Sequence, residues 1–190
     1  HYAGRHSAAW PVLERIATAL TTCVVCVCET VRESHVTRFQ RAARRFVTVY
    51  NGISAAPAPL PRAQARAALG LGPEERVVLT VGSLTPQKAQ HVLLEAFARV
   101  AADVPGSRLL IAGEGPLRST LEARRDALGL AESVRFLGAR EDVTDLLVAA
   151  DVFTLSSWRE GLPITLLEAM RAGRAVVLTR AGGCAEAVTE

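Results

Sequence analysis

Two carboxylates, Glu160 and Glu168, stand at either end of a seven-residue interval in the segment WREGLPITLLEAM. Between them lie Gly161, Leu162 and Pro163, followed by an apolar run. Pro163 suits the first helical position, where its missing N–H costs nothing. Gly173 suits the far end, so the spacing predicts a helix from Pro163 to about Arg171. The N-terminus of such a helix offers free N–H groups and the positive end of the macrodipole, which together favour phosphate. Glu168 falls about 7.5 Å further along the axis at 1.5 Å per residue. At that distance a carboxylate does not oppose the phosphate directly and can accept hydrogen bonds from vicinal hydroxyls, as acidic residues do for ribose in dinucleotide folds. Glu160, in the loop ahead of the helix, is placed to hold a sugar. The plainer alternative has Glu160 complementing the helix dipole and Glu168 solvated, but Leu166, Leu167, Ala169 and Met170 are poor company for a solvated charge.

Such residues need elements to position them. Short apolar runs (CVVCVC, RFVTVYN, RVVLTVGS, SRLLIAGEG, SVRFLGAR, DVFTLSS and AVVLTR) alternate with helical patterns. The helical patterns are ETVRESHVTRF, QKAQHVLLEAFARVAA, PLRSTLEARRDAL, EDVTDLLVAA and PITLLEAMRA. Apolar strands joined by helices imply a parallel sheet covered on both faces, the Rossmann-like, doubly wound α/β class. Ligands of such sheets bind beyond the carboxyl ends of the strands. The residues there are Gly82 and Ser83, Gly113 and Gly115, Gly138, Ser156 through Gly161, and Gly182 with Gly183. Glycine lets backbone N–H groups approach a ligand closely, so its repetition along one sheet edge suggests a backbone-lined cleft.

Composition narrows the class. With 49% hydrophobic residues in 190 and a net charge of +3, the chain has the means for a packed core. The longest apolar run, IATALTTCVVCVC, is too short for a membrane span and lies too far inside the chain for a signal peptide. A cytoplasmic protein, at most peripheral to a membrane, is the expectation. The basic cluster RFQRAARRF reads as a solvated helix face rather than a site for lipid heads, and no nucleic-acid partner is expected because no such module is present. Cys23, Cys26 and Cys28, interleaved with valines, read as a buried strand rather than a metal or redox motif. Among many arginines Lys88 is the sole lysine. The proline-rich stretch NGISAAPAPLPRAQ (51–64) reads as an extended linker and places a domain boundary near residue 60. Residues 1–60 then hold the end of one domain, and residues 61–190 hold most of the next. The chain reads as truncated at both ends.

The segment SSWREGLPITLLEAMRAG, with AVVLTRAGGCAEAV after it, resembles the signature region of retaining, GT-B-fold glycosyltransferases of the large group 1 family. VYNGIS, VGSLTPQKAQHVLLEAF, IAGEGPLR and VRFLGAR resemble further segments of that family in the same order. The resemblance implies transfer of a sugar from a nucleotide-diphosphate sugar to an acceptor hydroxyl with retention. Glu168 would bind the ribose, Glu160 the sugar hydroxyls, and the backbone of Gly161, Leu162 and Pro163 the sugar and diphosphate. Lys88 would neutralise the departing diphosphate; Gly82, Ser83, Gly113 and Gly115 would line the donor site, and Gly138 the base pocket. His1 falls where a cleft-facing histidine of the N-terminal domain is expected, with His6 competing; His35 and His91 read as surface or packing residues. An Asp-x-Asp motif is absent, so neither a metal nor any other cofactor is expected. The acceptor stays open, as does a peripheral membrane contact through an N-terminal domain. The chain departs from the pattern at Ser83, where an arginine is usual and Arg159 or Arg180 could compensate, at Ala89 for glycine and at Ala185 for proline. Two rivals are a nicotinamide-dependent Rossmann enzyme, whose Gly-x-Gly-x-x-Gly pattern fails at Arg118, and an inactive nucleotide-binding remnant.

Overall fold

A computed structural model describes residues 10–54 and 58–188. The chain divides into two compact units, one of His1–Gly52, Arg159–Pro163 and Arg180–Glu190, the other of Ile53–Trp158 and Ile164–Thr179.

The larger unit is built on a five-stranded parallel sheet. Its strands are β3 (Arg76–Val81), β4 (Ser107–Ala112), β5 (Val134–Gly138), β6 (Val152–Leu155) and β7 (Ala175–Leu178), in the order β5-β4-β3-β6-β7. The doubly wound parallel sheet expected from the apolar runs is therefore present. On one face α4 (Gln90–Asp103) and α5 (Arg118–Ala127) close a core in which Leu93, Leu94, Phe97 and Leu121 meet Leu109, Ile111 and Val134. Successive strand residues face opposite ways, so the register partners Leu79, Leu110 and Phe153 serve the other face. All three are fully buried. That face associates with α3 (Arg62–Ala68), α6 (Val143–Ala149) and α7 (Ile164–Arg171).

Helix α3 corrects the reading of the proline-rich stretch as extended throughout, since its last three residues, 62–64, are helical. Arg62 and Arg66 explain this. The Arg62 guanidinium donates to the carbonyls of Val148 and Ala150 and to Asp151 Oδ1 at 2.6 Å. Arg66, 5% exposed, donates to the carbonyls of Gly72, Glu75 and Ala149. Asp151 in turn accepts from the Val77 N–H at 2.8 Å, which fixes the start of β3. Helix α7 begins one residue after the expected Pro163. It ends in a Schellman motif, with Gly173 at φ +66°, its N–H on Met170 O and the Arg174 N–H on Ala169 O.

The smaller unit contains α1 (Trp10–Leu20), β1 (Val24–Cys26), α2 (Glu29–Arg38) and β2 (Phe46–Thr48), with β1 and β2 parallel. A short helix, α8 (Cys184–Ala187), belongs to it as well. Cys26 and Cys28 are buried, but Cys23 lies exposed ahead of the strand, which is shorter than expected. The basic cluster spans the end of α2 and a 3-10 helix over Gln40–Arg45, with Arg38 and Arg44 exposed. Arg45 donates to the carbonyls of Thr18, Ala19 and Thr21, and so closes the open end of α1. His35 packs in a triangle of rings with Phe39 and Phe46, at centroid distances of 6.1 and 5.7 Å, a packing role, and His91 is exposed on α4.

Candidate functional site

In the larger unit the chain builds β4 and β5 to one side of β3 and β6 and β7 to the other, so the winding reverses between β3 and β6. That reversal is where open α/β sheets bind ligands. The turn leaving β3 carries Gly82, Ser83 and, after the 3-10 turn Pro86–Lys88, the ammonium of Lys88. The Lys88 stem runs past Gly82: a Cβ at Gly82 would lie 3.7 Å from Lys88 Cε. The buried Ser156, just after β6, donates its hydroxyl to the carbonyls of Lys88 (2.9 Å) and Ala89 (3.1 Å), and the Trp158 N–H donates to Gln87 O at 2.9 Å. The loops after β3 and β6 are thereby joined, and Lys88 is held at the reversal point.

The adjoining glycines are brought together by the same sheet edge. The Gly82 N–H donates to Ala112 O and the Gly113 N–H to Gly138 O, which extends the ladder past the strand ends. A Cβ at Gly113, where φ is +139°, would overlap the carbonyl of Gly82, and one at Gly115 would overlap that of Leu84. These two glycines are thus already required by loop packing, whatever else they do. Ser83 is exposed, while its carbonyl accepts from Gln90 Nε2 at 2.9 Å, and Gln90 Oε1 is buried with no partner. Glu168 sits half-buried on α7 and makes no ion pair or hydrogen bond through its carboxylate among the described residues. A carboxylate so placed keeps its acceptor capacity for another molecule's hydroxyls.

The smaller unit holds Glu160, Gly161, Leu162 and Pro163. Leu162 is buried, and its carbonyl accepts from Asn51 Nδ2 at 2.7 Å. The turn at Gly182 and Gly183 lies against the same loop, since a Cβ at either would overlap the carbonyl of Glu160 or Gly161 respectively. That turn leads into α8, whose Glu186 accepts from the N–H groups of Glu29 (2.9 Å) and Thr30 (2.6 Å), the Thr30 hydroxyl (2.5 Å) and the Tyr50 hydroxyl (3.0 Å). Burial pushes the Glu186 carboxyl up, but the Thr30, Glu29 and Tyr50 donors outweigh it and bring the pKa to about 2.

Sequence reasoning singled out Gly82, Ser83, Lys88, Gly113, Gly115, Gly138 and Glu168, all of which the structure places in the larger unit, and 160–163, which it places in the smaller. His1 lies outside the described residues. Asn51, Glu186 and Gln90 received no role from the sequence. One signal was there to use: Cys28 makes a poor N-cap, so the first N–H groups of α2 needed a partner from elsewhere.

Comparison with known proteins gives a consistent picture. The model of the family "Glycosyl transferases group 1" matches residues 61–190. The D-inositol 3-phosphate glycosyltransferase of Mycobacterium sp. (strain KMS) is 41% identical over 140 residues, 70% of this chain and 31% of the relative. Anabaena Alr3699/HepE, solved with UDP and glucose, superposes with a TM-score of 0.84 at 26% identity over 97% of this chain and 52% of that one. WaaG, a glycosyltransferase involved in lipopolysaccharide biosynthesis, matches with a TM-score of 0.84 at 24% identity over 98% of this chain and 53% of its own, a likeness of fold alone. The chain thus spans about a third of the length of the curated relative and about half that of the solved ones.

Proposed function

The chain belongs to the group 1 glycosyltransferases, and from that premise we propose that it forms the donor-binding part of an enzyme that moves a sugar from a nucleotide-diphosphate sugar to an acceptor hydroxyl, with retention and without a metal. Its parallel sheet is that of GT-B glycosyltransferases. On this reading residues 1–60 end the acceptor-side domain and residues 61–190 bind the donor.

The observation that carries the proposal is the anchoring of Lys88, the sole lysine, at the reversal point of the sheet by Ser156. As the glycosidic bond breaks, its electrons pass to the departing diphosphate and positive charge grows on the sugar ring. A compact ammonium fixed beside the diphosphate stabilises the developing negative charge without reorganising. The N–H groups at the start of α7 act in the same sense. Glu168 accepts hydrogen bonds from the ribose hydroxyls, and Glu160 accepts them from the sugar. Gly82, Ser83, Gly113 and Gly115 line the donor site and Gly138 the base pocket. No cofactor beyond the donor takes part, because a fixed cation supplies the charge that a metal otherwise brings. Alr3699/HepE, with UDP and glucose bound in its crystal, supports a uracil nucleotide as the first donor to test.

Calorimetric titration of this chain with UDP, GDP and ADP is the direct test. We expect one of them to bind, and Lys88→Ala to weaken that binding at least tenfold. Equal affinities for Lys88→Ala and wild type, or no binding by wild type to any of the three, would count against the reading. Binding of NADH, followed by fluorescence, would favour a dehydrogenase instead.

A further inference from the structure

The loop proposed to receive the sugar is braced from elsewhere in the smaller unit. In Arg159–Pro163 Leu162 is buried, and both Asn51 and the turn at Gly182 and Gly183 meet the backbone. Asn51 Nδ2 donates to Leu162 O at 2.7 Å. Gly182 and Gly183 press so closely on the carbonyls of Glu160 and Gly161 that only glycine fits at either position. That pair of glycines leads into α8, whose Glu186 carboxylate ties it to the first turn of α2 and to Tyr50. Cys28 supplies no cap to α2, so Glu186, from 157 residues further along, completes that helix. The exchange is mutual: α2 gains an acceptor at its positive end, and the glycine turn gains a fixed seat.

We propose that Asn51 and Glu186 are positioning residues for the sugar-binding loop, Asn51 holding Leu162 from one side and Glu186 holding the glycine turn against Glu160 and Gly161 from the other. Neither touches the donor. They set where the Glu160 carboxylate and the Gly161 and Leu162 backbone meet the sugar, so their removal loosens recognition of the sugar and spares that of the nucleotide. The inference rests on the donor-binding reading for the role of the loop, but its structural part stands independently.

Two measurements separate these parts. The first is peptide-resolved hydrogen exchange on the ligand-free chain, which reads local opening. In Asn51→Ala, Asn51→Asp and Glu186→Gln we expect exchange of the peptide spanning 159–163 to quicken at least tenfold, while peptides of β3 and α4 keep wild-type protection. Asn51→Asp is the discriminating variant. It conserves the shape of asparagine but replaces the donor to Leu162 O with an acceptor, so a role in packing alone would leave it like wild type. The second is the ratio of affinities for UDP-glucose and UDP, expected to fall about tenfold in the same variants with UDP binding within twofold of wild type. Unchanged exchange at 159–163, or wild-type behaviour of Asn51→Asp, overturns the inference. Loosened exchange in a chain that binds neither ligand, even as wild type, upholds the positioning and refutes the donor-binding reading instead.

Discussion

Ala89 is the one non-glycine residue with positive φ among the described residues, at φ 50° and ψ 38°. It follows Lys88 where the family resemblance calls for glycine. The left-handed conformation costs an L-residue about 1–2 kcal/mol, and the freedom glycine has in the unfolded chain offsets about 0.5–1 kcal/mol of any gain. Ala89→Gly is therefore expected to stabilise the chain by about 0.5–1 kcal/mol, measured by urea unfolding. A destabilised variant would mean that the buried methyl matters more than the strain. The site was partly legible at this scale because glycine, proline and a solitary lysine are conspicuous in sequence. Asn51 and Glu186 were not, because an asparagine or a glutamate reveals nothing of its partner until the chain has folded.

Among the elements, α3 shows most clearly how side chains fix a segment that its neighbours in sequence would leave extended. Its buried Arg66 guanidinium satisfies three carbonyls from two other parts of the chain. Hydrogen bonds from a charged group are worth about 1.5–3 kcal/mol each, and leaving their partners buried and unpaired costs a similar amount. Arg66→Met, which keeps much of the volume, is expected to lower stability by about 3 kcal/mol in denaturant titration; a loss under 1 kcal/mol would show that water replaces the guanidinium. The strands were readable because strands buried on both faces are continuous apolar runs, and all seven apolar runs form strands. Helix α3 was not, since its alanines and arginines carry little periodicity and two prolines precede it.

For the molecule as a whole, the linear order of the chain conceals the order in space. A boundary near residue 60 follows from composition, but the grouping of Arg159–Pro163 and Arg180–Glu190 with the first 52 residues rests on contacts between residues over a hundred positions apart. Glu186 makes this grouping sensitive to acid. Its folded pKa of about 2 lies below the ordinary glutamate value of 4.5, so the carboxylate contributes stability in full above about pH 4.5, and that contribution fades as the pH falls towards 2. The neighbouring Glu29 carboxylate, itself held low by Arg32 and Thr48, titrates in the same direction. Exchange of the α2 and α8 amides is expected to quicken through that window before exchange in the β3-β4 core does. Simultaneous release of both regions would show that Glu186 carries no special share. In Glu186→Gln the early phase should be gone.

The tie between Glu186 and the start of α2 bears on how such enzymes can be recombined. Hybrids of related transferases are most naturally spliced in the proline-rich stretch, where few contacts are expected to be cut. Here that seam parts Asn51 from Leu162, and Tyr50, Thr30 and Glu29 from Glu186. A graft exchanged at that seam inherits two loops whose anchors stay behind in the other parent, unless the incoming half brings matching asparagine, tyrosine and helix start with it.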